Sequence, residues 1–253
     1  MDFKDKVVIV TGGSSGIGAA SARLFASHGA LVAIIGRNVQ RLDAVAKDCE
    51  TKSGNLPLRI ALDLTSKGAC EEVVKATVEK YKRIDVLVNC AGKGNMASLF
   101  DDNIDGFDEL IALNLKVPYR LTQLCVPYLI KTKGNIVNVY EAPVRSRPGM
   151  LQFSMVRDAL DRFTKAGAAE LVGEGVRMNG VRTCMVRSNF LQNYNIPDDQ
   201  RDVVINNLAE QVMPFKRPIE AEEVARLIVF TASDMCASLN ATSLCVDGAA
   251  SSF

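Results

Sequence analysis

The chain has 253 residues, 48% of them hydrophobic and 23% charged, with a formal net charge of +1. That length and apolar share suit one compact α/β domain covering residues 1–253, since such domains commonly reach about 250 residues without splitting. The near-neutral balance argues against nucleic acid or an anionic membrane as the main partner. No apolar stretch approaches the roughly 20 residues of a membrane span. Cysteines at 49, 70, 90, 125, 184, 236 and 245 form no C-x-x-C pair. The expectation is reduced thiols in a cytoplasmic protein with no metal site.

In chain order, KVVIV (6–10) leads into a glycine-rich turn, and short apolar runs recur at 31–35, 58–62, 84–88, 135–139, 176–181 and 243–246. Rich in Val, Ile and Leu and apolar on both faces, they predict buried parallel strands. The pattern between the first two predicts a helix over 18–29, closed by Gly29, with others near 67–82, 106–131, 150–172, 199–211 and 220–233. Strict alternation implies right-handed crossovers. The fold class is therefore a Rossmann-type doubly wound sheet of about seven parallel strands, with helices on both faces. The least regular stretch, 182–200, leaves the carboxyl edge of the sheet, where ligands of this architecture bind. Its composition suits a closing lid and a plain surface loop alike.

The first turn reads Thr11-Gly12-Gly13-Ser14-Ser15-Gly16-Ile17-Gly18. Glycines between a strand and a helix allow a tight turn and close backbone approach, and the helix N-terminus favours an anion. Together these predict a pyrophosphate site. The second strand ends Ile35-Gly36-Arg37-Asn38, without the carboxylate that usually binds the ribose hydroxyls of NAD. Arg37 can pair with a 2′-phosphate through charge-assisted hydrogen bonds, which favours NADP(H) over NAD(H).

TGGSSGIG (11–18), ALDLT (61–65), VNCAG (88–92), Asn114 within ALNLK, GNIVNV (134–139) and VDG (246–248) occur in the order and near the spacing of one family. Over nearly its whole length the chain resembles the short-chain dehydrogenases/reductases. The resemblance implies a nicotinamide dinucleotide held by the 12–18 turn, with Gly12, Ser14, Ser15, Gly16, Ile17 and Gly18 beneath it. Asp63 and Leu64 would meet the adenine, and Asn89, Ala91 and Gly92 would line the cofactor cleft. The alternative for Asn89 is a structural bridge between backbone groups. Cys90 stands where Asn is commoner. Helices around 106–131 and 150–172 would form a homodimer or homotetramer, although Asp158 replaces a usually small residue.

The resemblance further implies hydride transfer between nicotinamide and a carbonyl or alcohol carbon. A Ser orients the substrate oxygen, a Tyr passes a proton, a Lys four residues later lowers the Tyr pKa, and an Asn supports a water relay. Here Phe153 falls at the Tyr position and Arg157 at the Lys position. The Ser position falls on Glu141 counted from the strand, or on Tyr140 counted back from Phe153. Ser146 and Ser154 lie out of register. Asn114 alone is retained, Thr183-Cys184 replaces the usual Pro-Gly, and Asn240 replaces a Gly. Without the Tyr hydroxyl, general-acid catalysis worth about 10²–10⁴-fold is lost.

These departures predict an NADP(H)-binding family member that is catalytically impaired or inactive and acts as a ligand or cofactor binder. The alternative is an active NADPH-dependent carbonyl/alcohol oxidoreductase using non-standard residues. In that case Tyr140 would point into the cleft, with Arg157 stabilising its phenolate. Glu141, if desolvated, and Tyr194 are further candidates. Arg145, Arg147, Arg157, Arg182 and Arg187 fall on segments around the cleft, which suggests an anionic small-molecule ligand unless Asp158 and Asp161 pair with them. His28, the single histidine, is expected as a solvated cation at a helix end.

Overall fold

The computed structural model describes residues 1–101, 104–143, 148–194 and 196–252. In chain order the elements begin β1 (Val7–Thr11), α1 (Gly16–Ser27), β2 (Leu31–Gly36), α2 (Val39–Ser53), β3 (Leu58–Ala61) and α3 (Ala69–Tyr81). Next come β4 (Val86–Asn89), α4 (Asp105–Ile111), α5 (Val117–Thr132), β5 (Asn135–Glu141), α6 (Leu151–Leu171) and β6 (Arg177–Thr183). The chain ends with β7 (Val186–Arg187), α7 (Arg201–Val212), β8 (Ile219–Glu220), α8 (Ala221–Ala232) and β9 (Ser243–Val246).

Seven strands pair in the order β3-β2-β1-β4-β5-β6-β9, every pair parallel. Alternate side chains of each strand enter opposite layers. Val8, Val10, Ile34 and Val88 face α1, α2 and α8 through Phe25, Leu42 and Ile228. Ile9, Ile35, Leu87 and Ile136 face α3, α5 and α6 through Val73, Leu121 and Ala168. After β3 the chain crosses to the far side of β1, so a crevice opens between the carboxyl ends of β1 and β4. That is the ligand position of this architecture.

All seven expected strands are present. Three features differ from the expectation. The helix α2 stands in a stretch assigned no element, capped by the Asn38 side chain, which accepts from the Arg41 N–H at 2.8 Å. The single helix expected over 106–131 is α4 and α5 joined by a π-helical turn at Ala112–Lys116. The stretch 182–200 is largely ordered into β7, which pairs with β8, and 3-10 turns at Asn189–Tyr194 and Asp198–Gln200.

Candidate active site

The glycine turn is shaped by its neighbours. Gly12 (φ 68°) and Gly16 (φ 50°) adopt left-handed backbone that side chains disfavour. A Cβ on Gly12 would sit 3.1 Å from Ala91 Cα, and one on Gly16 would sit 2.9 Å from Ser188 Cβ. On Gly18 it would enter the Gly12 carbonyl, so α1 packs directly on the turn. The Thr11 hydroxyl accepts the N–H groups of Cys90 (2.9 Å) and Ala91 (3.0 Å), pinning the corner after β4 against the turn. Ser15 caps α1 in extended conformation with no side-chain cap bond, and the first turn of α1 carries no acidic residue. Its leading N–H groups and positive dipole end are thus suited to a phosphate. Ser14 packs over Gly36, where a Cβ would lie 2.8 Å from its Oγ.

At the end of β2, Arg37 is mostly in solvent, 4.0 Å from Asp63. The Thr65 hydroxyl (2.6 Å) and N–H (2.9 Å) donate to Asp63 and hold its carboxyl below the usual range. Leu64 turns its side chain into the core. Asn38 spends its side-chain oxygen on α2.

A cavity of about 430 Å³ opens beside the turn, lined by Ile17, Asn89, Glu141, Phe153, Arg157 and Tyr194 among others. Asn89 donates to Asn138 Oδ1 at 2.8 Å, Asn138 donates to Thr164 at 2.9 Å, and Thr164 bonds the Leu160 carbonyl. The Asn89 Oδ1 atom is buried without a partner among the described residues. Asn89 therefore bridges to Asn138 and also lines the cavity. Asn114, on the π-turn, accepts from Lys93 N at 3.0 Å and donates to Lys93 O at 2.7 Å, clipping the loop after β4 in place. Ala91 and Gly92 line the same cavity.

Phe153 is buried against Leu110 and Val156, its ring 6.1 Å from that of Phe190. Arg157 reaches Asp158 at 3.0 Å and the Ala142 carbonyl at 3.4 Å, and lies 4.0 Å from the Glu141 carboxylate. Tyr194 lines the cavity beside Phe190, and burial followed by the Glu141 charge pushes its phenol up to about 12.

Tyr140 corrects the expectation that it serves the cleft as a donor beside Arg157. Its hydroxyl turns aside over Gly180 and bonds Asp161 at 2.9 Å and Ser243 at 2.8 Å. The guanidinium over its ring belongs to Arg182. Arg182 is likewise spent on Asp161, and Arg187 on Asp202 (2.6 Å) and Glu220 (3.2 Å). Only Arg157 of these three lines the cavity. Arg145, Ser146 and Arg147 lie outside the described residues, while Ser154 lines the cavity although out of register. His28 caps the end of α1. Among the described residues no cluster of His, Cys, Asp and Glu could hold a metal, and no helix is long and apolar enough to cross a membrane.

Thr11 and Ser188 were not singled out in the sequence. Thr11 had no signal beyond its place before the first glycine. Ser188 had only its position after the sixth strand.

Residues 12–250 match the family model described as enoyl-(acyl carrier protein) reductase. The chain is 33% identical over 250 residues to 3-oxoacyl-(acyl-carrier-protein) reductase of Thermotoga maritima, with 98% of each chain covered. It is 30% identical to meso-2,3-butanediol dehydrogenase of Serratia marcescens, covering 99% of this chain and 96% of that one. L-sorbose reductase of Gluconobacter frateurii, solved with NADPH and L-sorbose, matches with a TM-score of 0.90 at 25% identity, covering 100% of this chain and 99% of that one.

These relatives overturn the expectation of an impaired or inactive ligand binder. They are reductases and dehydrogenases matched along nearly their whole length, and they favour the alternative, an active oxidoreductase. The physical reason is that replacing Tyr and Lys at two positions leaves the phosphate seat and the cavity standing, and the cavity wall holds other ionisable groups. With the glycine turn, the parallel sheet and these matches in agreement, the chain belongs to the short-chain dehydrogenase/reductase family.

Proposed function

We propose that this chain is an NADP(H)-preferring oxidoreductase that interconverts a carbonyl and a hydroxyl group on an apolar small molecule, using non-standard residues. The observation that carries the reading is the continuity of the phosphate seat with the cavity. Ser188, which packs over Gly16, also lines the cavity together with Glu141, Arg157 and Tyr194. When bound, the coenzyme supplies or accepts a hydride. The chain's own residues do the rest. Gly12, Gly16 and Gly18 let backbone N–H groups reach the diphosphate, and Arg37 meets the 2′-phosphate. The unpartnered Asn89 oxygen accepts from a donor on the nicotinamide side. Arg157 stands where the family's cation does and holds a ribose hydroxyl.

Met96, Met150, Met185, Phe190 and Leu208 wall the remaining space, excluding water and selecting apolar substrate surface. The chain self-associates through α5 and α6, where the half-exposed Tyr119 packs 5.5 Å, ring to ring, from Phe163. Sizing by light scattering checks that.

The function is tested by following coenzyme absorbance with acetoin, cyclohexanone, acetophenone and an acetoacetyl thioester, each with NADPH and with NADH. The expected result is turnover of at least one ketone, faster with NADPH. No turnover of any of the four with either coenzyme overturns it.

A further inference from the structure

The oxidoreductase reading requires a proton donor for the substrate oxygen, and the family's position for it is occupied by Phe153. An acid must therefore come from elsewhere on the cavity wall. Three of the ionisable side chains there are committed. The Tyr140 hydroxyl bonds Asp161 and Ser243. Lys93 pairs with Glu109. Glu141 is turned to Arg157, its carboxylate 4.0 Å from the guanidinium.

Tyr194 is placed differently. It reaches the cavity from the segment after β6, at the end of an aromatic row that starts on α6 at Phe153. The Phe153 and Phe190 rings lie 6.1 Å apart, as do those of Phe190 and Tyr194. Its hydroxyl rests on the backbone of Gly94, just beyond the Lys93 peptide that Asn114 clips. Gly94 is buried and has no positive φ. The constraint on its side is steric: a Cβ there would collide with the Tyr194 hydroxyl and lie 2.9 Å from Cζ.

We propose that Tyr194 is the catalytic acid–base of this cavity, delivered by the segment after β6 in place of the phenol missing at 153. In reduction the carbonyl carbon accepts a hydride from the reduced coenzyme, and its oxygen takes the Tyr194 proton as the phenolic O–H bond breaks. Water then reprotonates the phenolate. The carbonyl is reduced to an alcohol and the coenzyme is oxidised. Burial, and after it the charge of Glu141 on β5, keeps the resting phenol protonated.

The test compares Tyr194→Phe with the native chain, using whichever of the four ketones the native chain turns over fastest. The expected result is a fall in kcat of about 10²–10⁴-fold, with NADPH affinity and melting temperature unchanged. Tyr140→Phe, outside the proposed relay, should keep native kcat. A second readout needs no turnover. In protein carrying tyrosine labelled with carbon-13 at the hydroxyl-bearing ring carbon, one resonance disappears on Tyr194→Phe. That resonance should shift when acetophenone is added to the complex with oxidised NADP. A Tyr194→Phe chain that keeps native kcat, or a resonance indifferent to acetophenone, overturns the proposal while leaving the oxidoreductase reading intact. A native chain that turns over none of the ketones overturns both.

Discussion

Arg37 stands at the end of β2 with its side chain 71% exposed, and the carboxylate it pairs with, Asp63, is 4.0 Å away. So loose and solvated a pair contributes little to the fold, which leaves the guanidinium available to a 2′-phosphate. Charge-assisted hydrogen bonds of that kind are worth about 1.5–3 kcal/mol. Arg37→Ala should therefore raise the KM for NADPH by about 10–100-fold, leave that for NADH nearly unchanged, and barely move the melting temperature. Steady-state kinetics with both coenzymes check it. At this scale the sequence was most legible where a residue type is tied to a backbone demand, as at Gly12, Gly16 and Gly18. It was least legible where direction decides the role. Tyr140 is the penultimate residue of β5, at the carboxyl edge of the sheet beside the cleft, yet its phenol leans sideways over Gly180 to reach Asp161 and Ser243. Nothing in the one-dimensional pattern distinguishes that orientation from one into the cleft.

Among the elements, β1 and β4 define the site because their carboxyl ends are tied together by one side chain. Thr11 accepts two backbone N–H groups of the corner after β4 and donates toward the Val88 carbonyl at 3.3 Å. Thr11→Val keeps the shape and removes the acceptor, stranding donors that are largely shielded from water. It should destabilise the chain by about 1–3 kcal/mol, read from urea unfolding, and weaken coenzyme binding at the same time. The strands were readable because buried parallel strands are continuous apolar runs. The helix α2 is harder to see, since its buried stripe is only Leu42, Val45, Ala46 and Cys49 in an otherwise polar segment. That spacing, with Asn38 ahead of it and Gly54 behind, is a helix signal carried by few residues. The two-residue strands β7 and β8 have no period to read. They arise from tertiary packing, as does the π-turn at 112–116 that presents Asn114 to the Lys93 peptide.

For the whole molecule, the network around Asp161 joins β5, β6, β9 and α6. Burial alone would raise its pKa, but donation from Lys165, Ser243, Arg182 and Tyr140 outweighs that and holds the carboxyl far below the usual range. A depressed carboxylate stabilises the fold fully above its unfolded pKa, about 4, and that contribution is lost as pH falls through the folded value. The native chain should therefore lose stability progressively below about pH 4. Asp161→Asn should cost about 2–3 kcal/mol at neutral pH, less than a fully buried pair because both partners keep some solvent contact. It should also flatten that part of the acid slope, as measured by denaturant titration across pH.

The contact between Gly16 and Ser188 has a thermodynamic corollary. The glycine turn and one wall of the cavity share that junction, so filling one compartment is expected to alter affinity in the other. Such coupling is reciprocal: the factor by which the proposed coenzyme changes the affinity for a ketone must equal the factor by which the ketone changes the affinity for that coenzyme.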